Sequence, residues 1–195
     1  MARLDRSDPA IQFALELTEQ RAAFVRDFVA QGRDPRELPL QMMEVDSWDR
    51  PMTLERAQKE ALFVIQGHVL STTYVAEAKE LGHTHSLATV QVDRVVKGRI
   101  RTRTVEILQG GGPEWDSQGG TLWQLPGDPL LYAGDHVILL LVPARSEEQR
   151  ALGRYQTVYE AGIYLVTDAG VFANTTALAG VVSGRSPDEV LALFE

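Results

Sequence analysis

The sequence predicts a mainly β protein: a small, curled Greek-key barrel with a long N-terminal helix and a short C-terminal helix. Three observations predict it. Two long strand-like stretches and the start of a third follow one another closely, Leu62–Val75, Leu87–Val96 and Thr102–Leu108. Gly67 interrupts the first, which is what a bulge requires if one strand is to curl and serve both sides of a closed sheet. A long connection then precedes the fourth strand, as in Greek-key barrels. The expected organisation is a helix and irregular connector over 1–52, then a barrel with its C-terminal helix over 53–195.

The helix is predicted to start at Asp8-Pro9, a capping carboxylate followed by proline at the first helical position. Gly32 and Asp34-Pro35 stop it. At 100° per residue, Ile11, Leu15, Ala22, Val25 and Val29 share one stripe. Phe13, Leu17, Phe24 and Phe28 form a second stripe beside it. Together they cover roughly half the circumference, more than the ~100° that packing on one surface requires. The second stripe therefore needs its own cover. One choice is the following segment, Leu38–Met52, folded back with Leu38, Leu40, Met42, Met43 and Trp48. The other is a partner chain, because monomers rarely expose such a patch. Adjacency in sequence favours the fold-back.

Residues 33–52 hold Pro35, Pro39 and Pro51 and little periodicity, so they read as connector. Thr53 can cap a short helix ending near Glu60. Ala76–Ser86 is polar and reads as a loop. Ala88, Val90 and Val92 alternate with Thr89, Gln91 and Asp93, the pattern of one buried face. Lys97-Gly98 turns the chain into Thr102–Leu108, with Val105 and Ile107 facing inward. Gly110-Gly111-Gly112-Pro113 is expected to end that strand and open a long excursion over 109–135, a length that is uncommon without structure. His136–Val142 is apolar on both faces and so is covered on both. Tyr155–Tyr159 and Ile163–Val166 are short strands, and Asp168-Ala169-Gly170 is a three-residue hairpin loop. Ser186-Pro187-Asp188-Glu189 is a capping box that opens a last helix through Phe194.

The blocks KEALFVIQGHV (59–69), ATVQVDRVVKG (88–98), AGDHVILLLVP (133–143) and AGIYLVTDAGV (161–171) carry a family resemblance. They are similar to those of a bacterial group of uncharacterised proteins with an OB-like barrel, akin to netrin-type and metalloproteinase-inhibitor-type modules. The resemblance covers about residues 53–173 and implies an OB-like fold rather than a chemistry. Members are often exported, whereas this chain begins without a leader, and the N-terminal helix is not part of their pattern. The inhibitor families act through cysteine-tethered N-termini. With no cysteine here, inhibition is not carried over.

Composition narrows the function. The net charge of -8 argues against a nucleic-acid binder, since the phosphate backbone rewards basic surfaces. The absence of cysteine excludes disulfides, thiolate metal sites and cysteine catalysis. No apolar run reaches bilayer length, so no membrane partner is expected. The expectation is a soluble, cytoplasmic protein, or an exported or virion protein if a leader preceded it.

Motifs that carry chemistry are weak. His83 and His85, two residues apart, share a face if extended and could reach one ion with His68 or Glu80, against a bland reading as a solvated loop. Lys97, Arg99, Arg101 and Arg103 suggest a basic ribbon for single-stranded nucleic acid. Strand parity opposes it, because Arg103 shares the inward face of Val105 and Ile107 and so sits at the barrel rim. Gly110-Gly111-Gly112 lacks both the dinucleotide spacing and the ending of a phosphate loop. Gly180–Gly184 misses the nucleophile-elbow spacing by one residue. Asp46 and Asp49 beside Trp48 could pair as acid and base but read as solvated. No cofactor and no catalytic residue is expected.

Trp115, Trp123 and Tyr132 on the excursion are the best candidate surface, against a reading in which that segment plugs one end of the barrel. The expected function is a non-enzymatic binding or assembly module, part of a larger assembly or virion. Its protein contacts, self-association included, would run through Phe13, Leu17, Phe24 and Phe28 and through Trp115, Trp123 and Tyr132. The alternatives are a small-ligand or metal-binding protein or hydrolase with a pocket near the loop aromatics, His83 and His85, and single-strand nucleic-acid binding by the barrel.

Overall fold

The computed structural model describes residues 19–20, 23–28, 30–42, 52–75, 84–114, 120–159, 161–173 and 176–195. Nine strands are present among them: β1 (Leu40–Met42), β2 (Phe63–Val75), β3 (His85–Lys97), β4 (Thr104–Glu114), β5 (Thr121–Gln124), β6 (His136–Pro143), β7 (Tyr155–Thr157), β8 (Ile163–Thr167) and β9 (Gly170–Ala173). The short helices α1 (Leu54–Glu60), α2 (Glu147–Ala151), α3 (Thr176–Val182) and α4 (Pro187–Leu191) accompany them.

Five strands close into a barrel. β2 lies antiparallel between β3 and β6, and β3 is antiparallel to β4. β7 runs antiparallel to β6 and closes the ring by a parallel bridge to β4, Ile107 beside Tyr155. The closed ring agrees at the level of fold with the expected OB-like barrel. β8 and β9 extend the sheet from β6, while β5 and β1 extend it from the far end of β4.

β2 can serve both neighbours because it bulges. Its register against β3 slips at Val64/Ile65, Gln66/Gly67 and Val69/Ser71. At the second slip Gly67 stands opposite Val92 and Gln66 opposite Arg94, so Asp93 is the residue that β3 gains. A Cβ at position 67 would lie 2.1 Å from the Gln91 carbonyl oxygen, so only glycine lets the strands approach this closely.

β6 is the wall between two cores. Val137, Leu139 and Leu141 point into the barrel with Ile65, Val69, Val90, Val105 and Ile107. Ile138 and Leu140 point outward, under Leu178 and Val182 of α3 and Val190 and Leu191 of α4. Both faces are buried, as the continuous apolar run predicts. Burying each of these side chains contributes about 1.5–3 kcal/mol, and the two-sided arrangement fixes the register, since a one-residue slip would exchange the two sets.

The expected caps are present. Thr53 accepts from the Arg56 amide at 3.2 Å, and Ser186 with Glu189 forms a full capping box. Three details differ from expectation. Gly110-Gly111-Gly112-Pro113 does not end β4 but bends it. Gly111 and Gly112 have φ of 116° and 145°, and beyond them the strand leaves β3 to pair with β5. The 168–170 hairpin is tighter than expected, because Thr167 pairs with Gly170. The chain between β9 and the capping box forms α3, which the pattern did not announce.

Helical backbone near the N-terminus is described at 19–20, 23–28 and 30; the first half of the helix expected from Asp8 lies outside the described residues. Gly32, with φ of 62°, lies just beyond its end. Phe13 and Leu17 lie outside the described residues, as do Trp48, Asp46, Asp49 and Glu80. Phe28 is buried with Leu38, Leu122 and Leu130 in a third, small core flanked by Phe24 and Tyr132. The cover over these phenylalanines therefore comes from the same chain, partly from the fold-back segment (Leu38) and partly from the excursion (Leu122, Leu130). Among the described residues, no helix is long and apolar enough to cross a membrane.

Candidate functional site

Three places on this scaffold could carry function. The first is the excursion 109–135. It is not structureless: it supplies the end of β4, the strand β5 and a bridge between Leu125 and Asp128. Trp123 is half-buried in β5 between Gly112 and Gln41, and Tyr132 lies half-buried under the Arg36 guanidinium at 5.1 Å. Trp115 lies outside the described residues. Leu131 enters the barrel core, so this segment does plug the barrel. The plug is held by Gln109, whose Oε1 accepts from the Leu131 amide at 3.0 Å and whose Nε2 donates to the Pro129 carbonyl at 2.8 Å.

Beside the plug lies a cleft of about 500 Å³, lined by α1, β4, β6, β7 and the turn at Leu125–Asp128. This size falls within the range of small-molecule sites. Arg56, Glu60 and Arg145 provide charge at its walls, while Leu108, Leu125 and Val142 provide apolar surface. Asp128 faces it, almost wholly buried, and accepts from the Thr157 hydroxyl at 2.7 Å. Burial pushes the Asp128 carboxyl up to about 6, and the Thr157 and Gln109 hydrogen bonds hold it back only in part.

The second place is the outer face of the barrel across β3, β2 and β6. His68 of β2 stands directly opposite His136 of β6, their rings stacked at 4.1 Å and 12° from parallel. His68 Nδ1 donates to Asp93 Oδ2 at 2.6 Å, and the Gln66 amide nitrogen donates to His136 Nε2 at 2.9 Å. Burial, and then His68 beside it, holds the His136 imidazole below its usual value.

The metal expectation is corrected here in its geometry. His85 is not in a loop but opens β3 opposite Val75, seven residues along β2 from His68. At about 3.3 Å per residue, that separates them by roughly 23 Å, too far to share an ion. His83 lies outside the described residues. Between them Thr84 is buried, its amide donating to the Glu114 carboxylate at 2.7 Å.

No family model matches this chain, and no curated protein sequence does. The site must therefore be read from its own geometry.

The third place is the sheet edge at β1. Leu40 and Met42 are 58% and 46% exposed, and Gln41 between them is exposed as well. β1 pairs with β5 on one side. In the basic ribbon, Lys97 Nζ donates to the Gln58 carbonyl at 2.6 Å, while Arg99, Arg101 and Arg103 are exposed in the turn before β4, so Arg103 does not share the inward face that strand parity predicts.

Sequence reasoning missed Asp93, Asp128 and His136. Asp93 and His136 were visible as strand residues, but the pairing of β2 with β6 joins positions 68 residues apart, which no local pattern announces. The one signal was Gly67, whose bulge sits beside His68.

Proposed function

We propose that this chain is a non-enzymatic binding and assembly module that associates with a second copy of itself through the edge strand β1. The exposed Leu40 and Met42 carry this reading. A sheet edge offers unpaired backbone donors and acceptors, and apolar side chains beside it add burial when another strand docks. Phe24 and Phe28 support this contact from behind, because the small core they build with Leu122 holds β5 and hence β1 in place.

The test is sedimentation of the native chain beside a Leu40→Lys/Met42→Lys variant. A native mass above that of one chain, falling to one chain in the variant, is the expected result. A native chain that stays single over the whole accessible concentration range would overturn the reading.

A second reading has its own observation, the cleft with the buried Asp128. It supports binding of a compact ligand with an apolar body and a polar group that can share the Asp128 proton. In thermal-shift screening at pH 5 and pH 7, a ligand of this kind should raise the melting temperature of the native chain but not of Leu125→Trp, which fills the cleft. If no compound of this class shifts the native chain, the cleft has no such role.

A further inference from the structure

We propose that His68, Asp93 and His136 form a binding site for a divalent transition-metal ion of the zinc type on the outer face of the barrel. One donor atom from each of the three lies within 4.8 Å of the other two. A tetrahedral zinc ion with donors at about 2.1 Å spaces them about 3.4 Å apart. Closing that gap requires the side chains to rotate and the stacked imidazoles to part, because each nitrogen lone pair lies in the plane of its ring.

The chemistry of the set selects the ion class. Two imidazoles and one carboxylate suit zinc, cobalt and nickel. Calcium and magnesium ask for six or more oxygens and would find one carboxylate. Three protein donors also leave at least one coordination position for water, and the exposure of His68 and Asp93 keeps that position open to solvent.

Rigid placement separates this set from a chance surface cluster. The donors sit on three consecutive strands of a closed barrel, His136 and Asp93 on either side of His68. Their strand neighbours Val69, Val137 and Val92 pack into the barrel core beneath them. Asp93 is the extra residue of the bulge that Gly67 permits, and bulges commonly re-aim a side chain at a functional site. Gln66, which donates to His136 Nε2 in the metal-free chain, serves as an outer partner once its amide turns its oxygen to accept from an Nε2–H and leaves the other ring nitrogen to the ion. Sites carried on strands hold their geometry better than sites on loops.

The inference is independent of the assembly reading, since β1 lies at the far edge of the sheet from β2 and β6. The test uses the full chain without an affinity tag, titrated with Zn²⁺ in competition with a chelating dye. One equivalent should bind. His136→Ala and Asp93→Ala should each weaken binding at least about tenfold, since even outer-shell losses cost that much. A His83→Ala/His85→Ala double variant should bind as the native chain does. Loading with Co²⁺ should give a visible absorption band that His136→Ala abolishes.

Should Asp93→Ala fail to fold, Asp93→Asn removes the charge while keeping the shape and makes the same test. The proposal is overturned if the native chain binds no stoichiometric zinc, leaving a plain His–Asp hydrogen bond. It is equally overturned if zinc binds with undiminished affinity to the His136 and Asp93 variants.

Discussion

Gly67 and Gln91 approach so closely across β2 and β3 that a methyl group on Gly67 would stand 2.1 Å from the Gln91 carbonyl oxygen. The obstacle is backbone, which cannot swing aside as a side chain would. Gly67→Ala should therefore force the bulge apart and destabilise the fold by about 1–3 kcal/mol or more. Urea unfolding measures this directly, and a midpoint equal to the native one would contradict it.

Gly180, exposed on α3, gives the opposite case. A Cβ there would meet nothing within 4 Å among the described residues. Gly180→Ala should stabilise the chain by about 0.5–1 kcal/mol, since glycine in a helix carries that entropic cost. The same denaturation experiment reads it, as a shift to higher urea.

Leu139 lies at the centre of the barrel core on the wall that two cores share. Truncating it leaves a hole that strands on both sides hold open. Leu139→Ala should cost about 2–5 kcal/mol. A loss below 1 kcal/mol would mean that the barrel is not packed as described.

Asp128 makes a signed prediction about pH. Its carboxyl is pushed from 3.8 up to about 6 in the folded chain. The folded state thus binds the proton more tightly than the unfolded state does. Its contribution is fully present below the unfolded value, fades as pH rises from about 4 to 6, and is gone above that. Moving the carboxyl from 3.8 to about 6 corresponds to roughly 3 kcal/mol. Asp128→Asn keeps an oxygen to accept from Thr157 and Gln109. It should remove most of this dependence and raise stability at pH 7, as unfolding free energies measured across pH 4–7 would show.

The Tyr164 hydroxyl is buried with no hydrogen-bond partner among the described residues, and burial drives its acidity well below that of a free tyrosine. An unpaired buried hydroxyl costs about 1–3 kcal/mol. Tyr164→Phe should leave the melting temperature unchanged or raise it, and a clear fall would show that the hydroxyl has a partner.

Those features whose cause is local were legible in the sequence. The capping box at Ser186, the cap at Thr53, the bulge at Gly67 and the two-faced burial of His136–Val142 each follow from a few adjacent residues. The triple glycine misled because glycine marks both ends and bends. Only the pairing of Gly111 and Gly112 with Gln124 and Trp123 tells which it is. The histidine cluster needed long-range register. His68 and His136 are ordinary in their own segments and meet only because β6 returns beside β2. Asp128 was hidden for the same reason, since its hydrogen-bond partners Thr157 and Gln109 come from two strands distant in sequence.

The ring of strands has a weakest stave. β7 is three residues long and touches β4 at one paired position, Ile107 with Tyr155, whereas its hold on β6 runs over three. A hoop under thermal strain parts where it is least riveted. Amide protons flanking that junction should therefore exchange with solvent ahead of those in β2 and β3, and the cylinder should breathe there long before it melts.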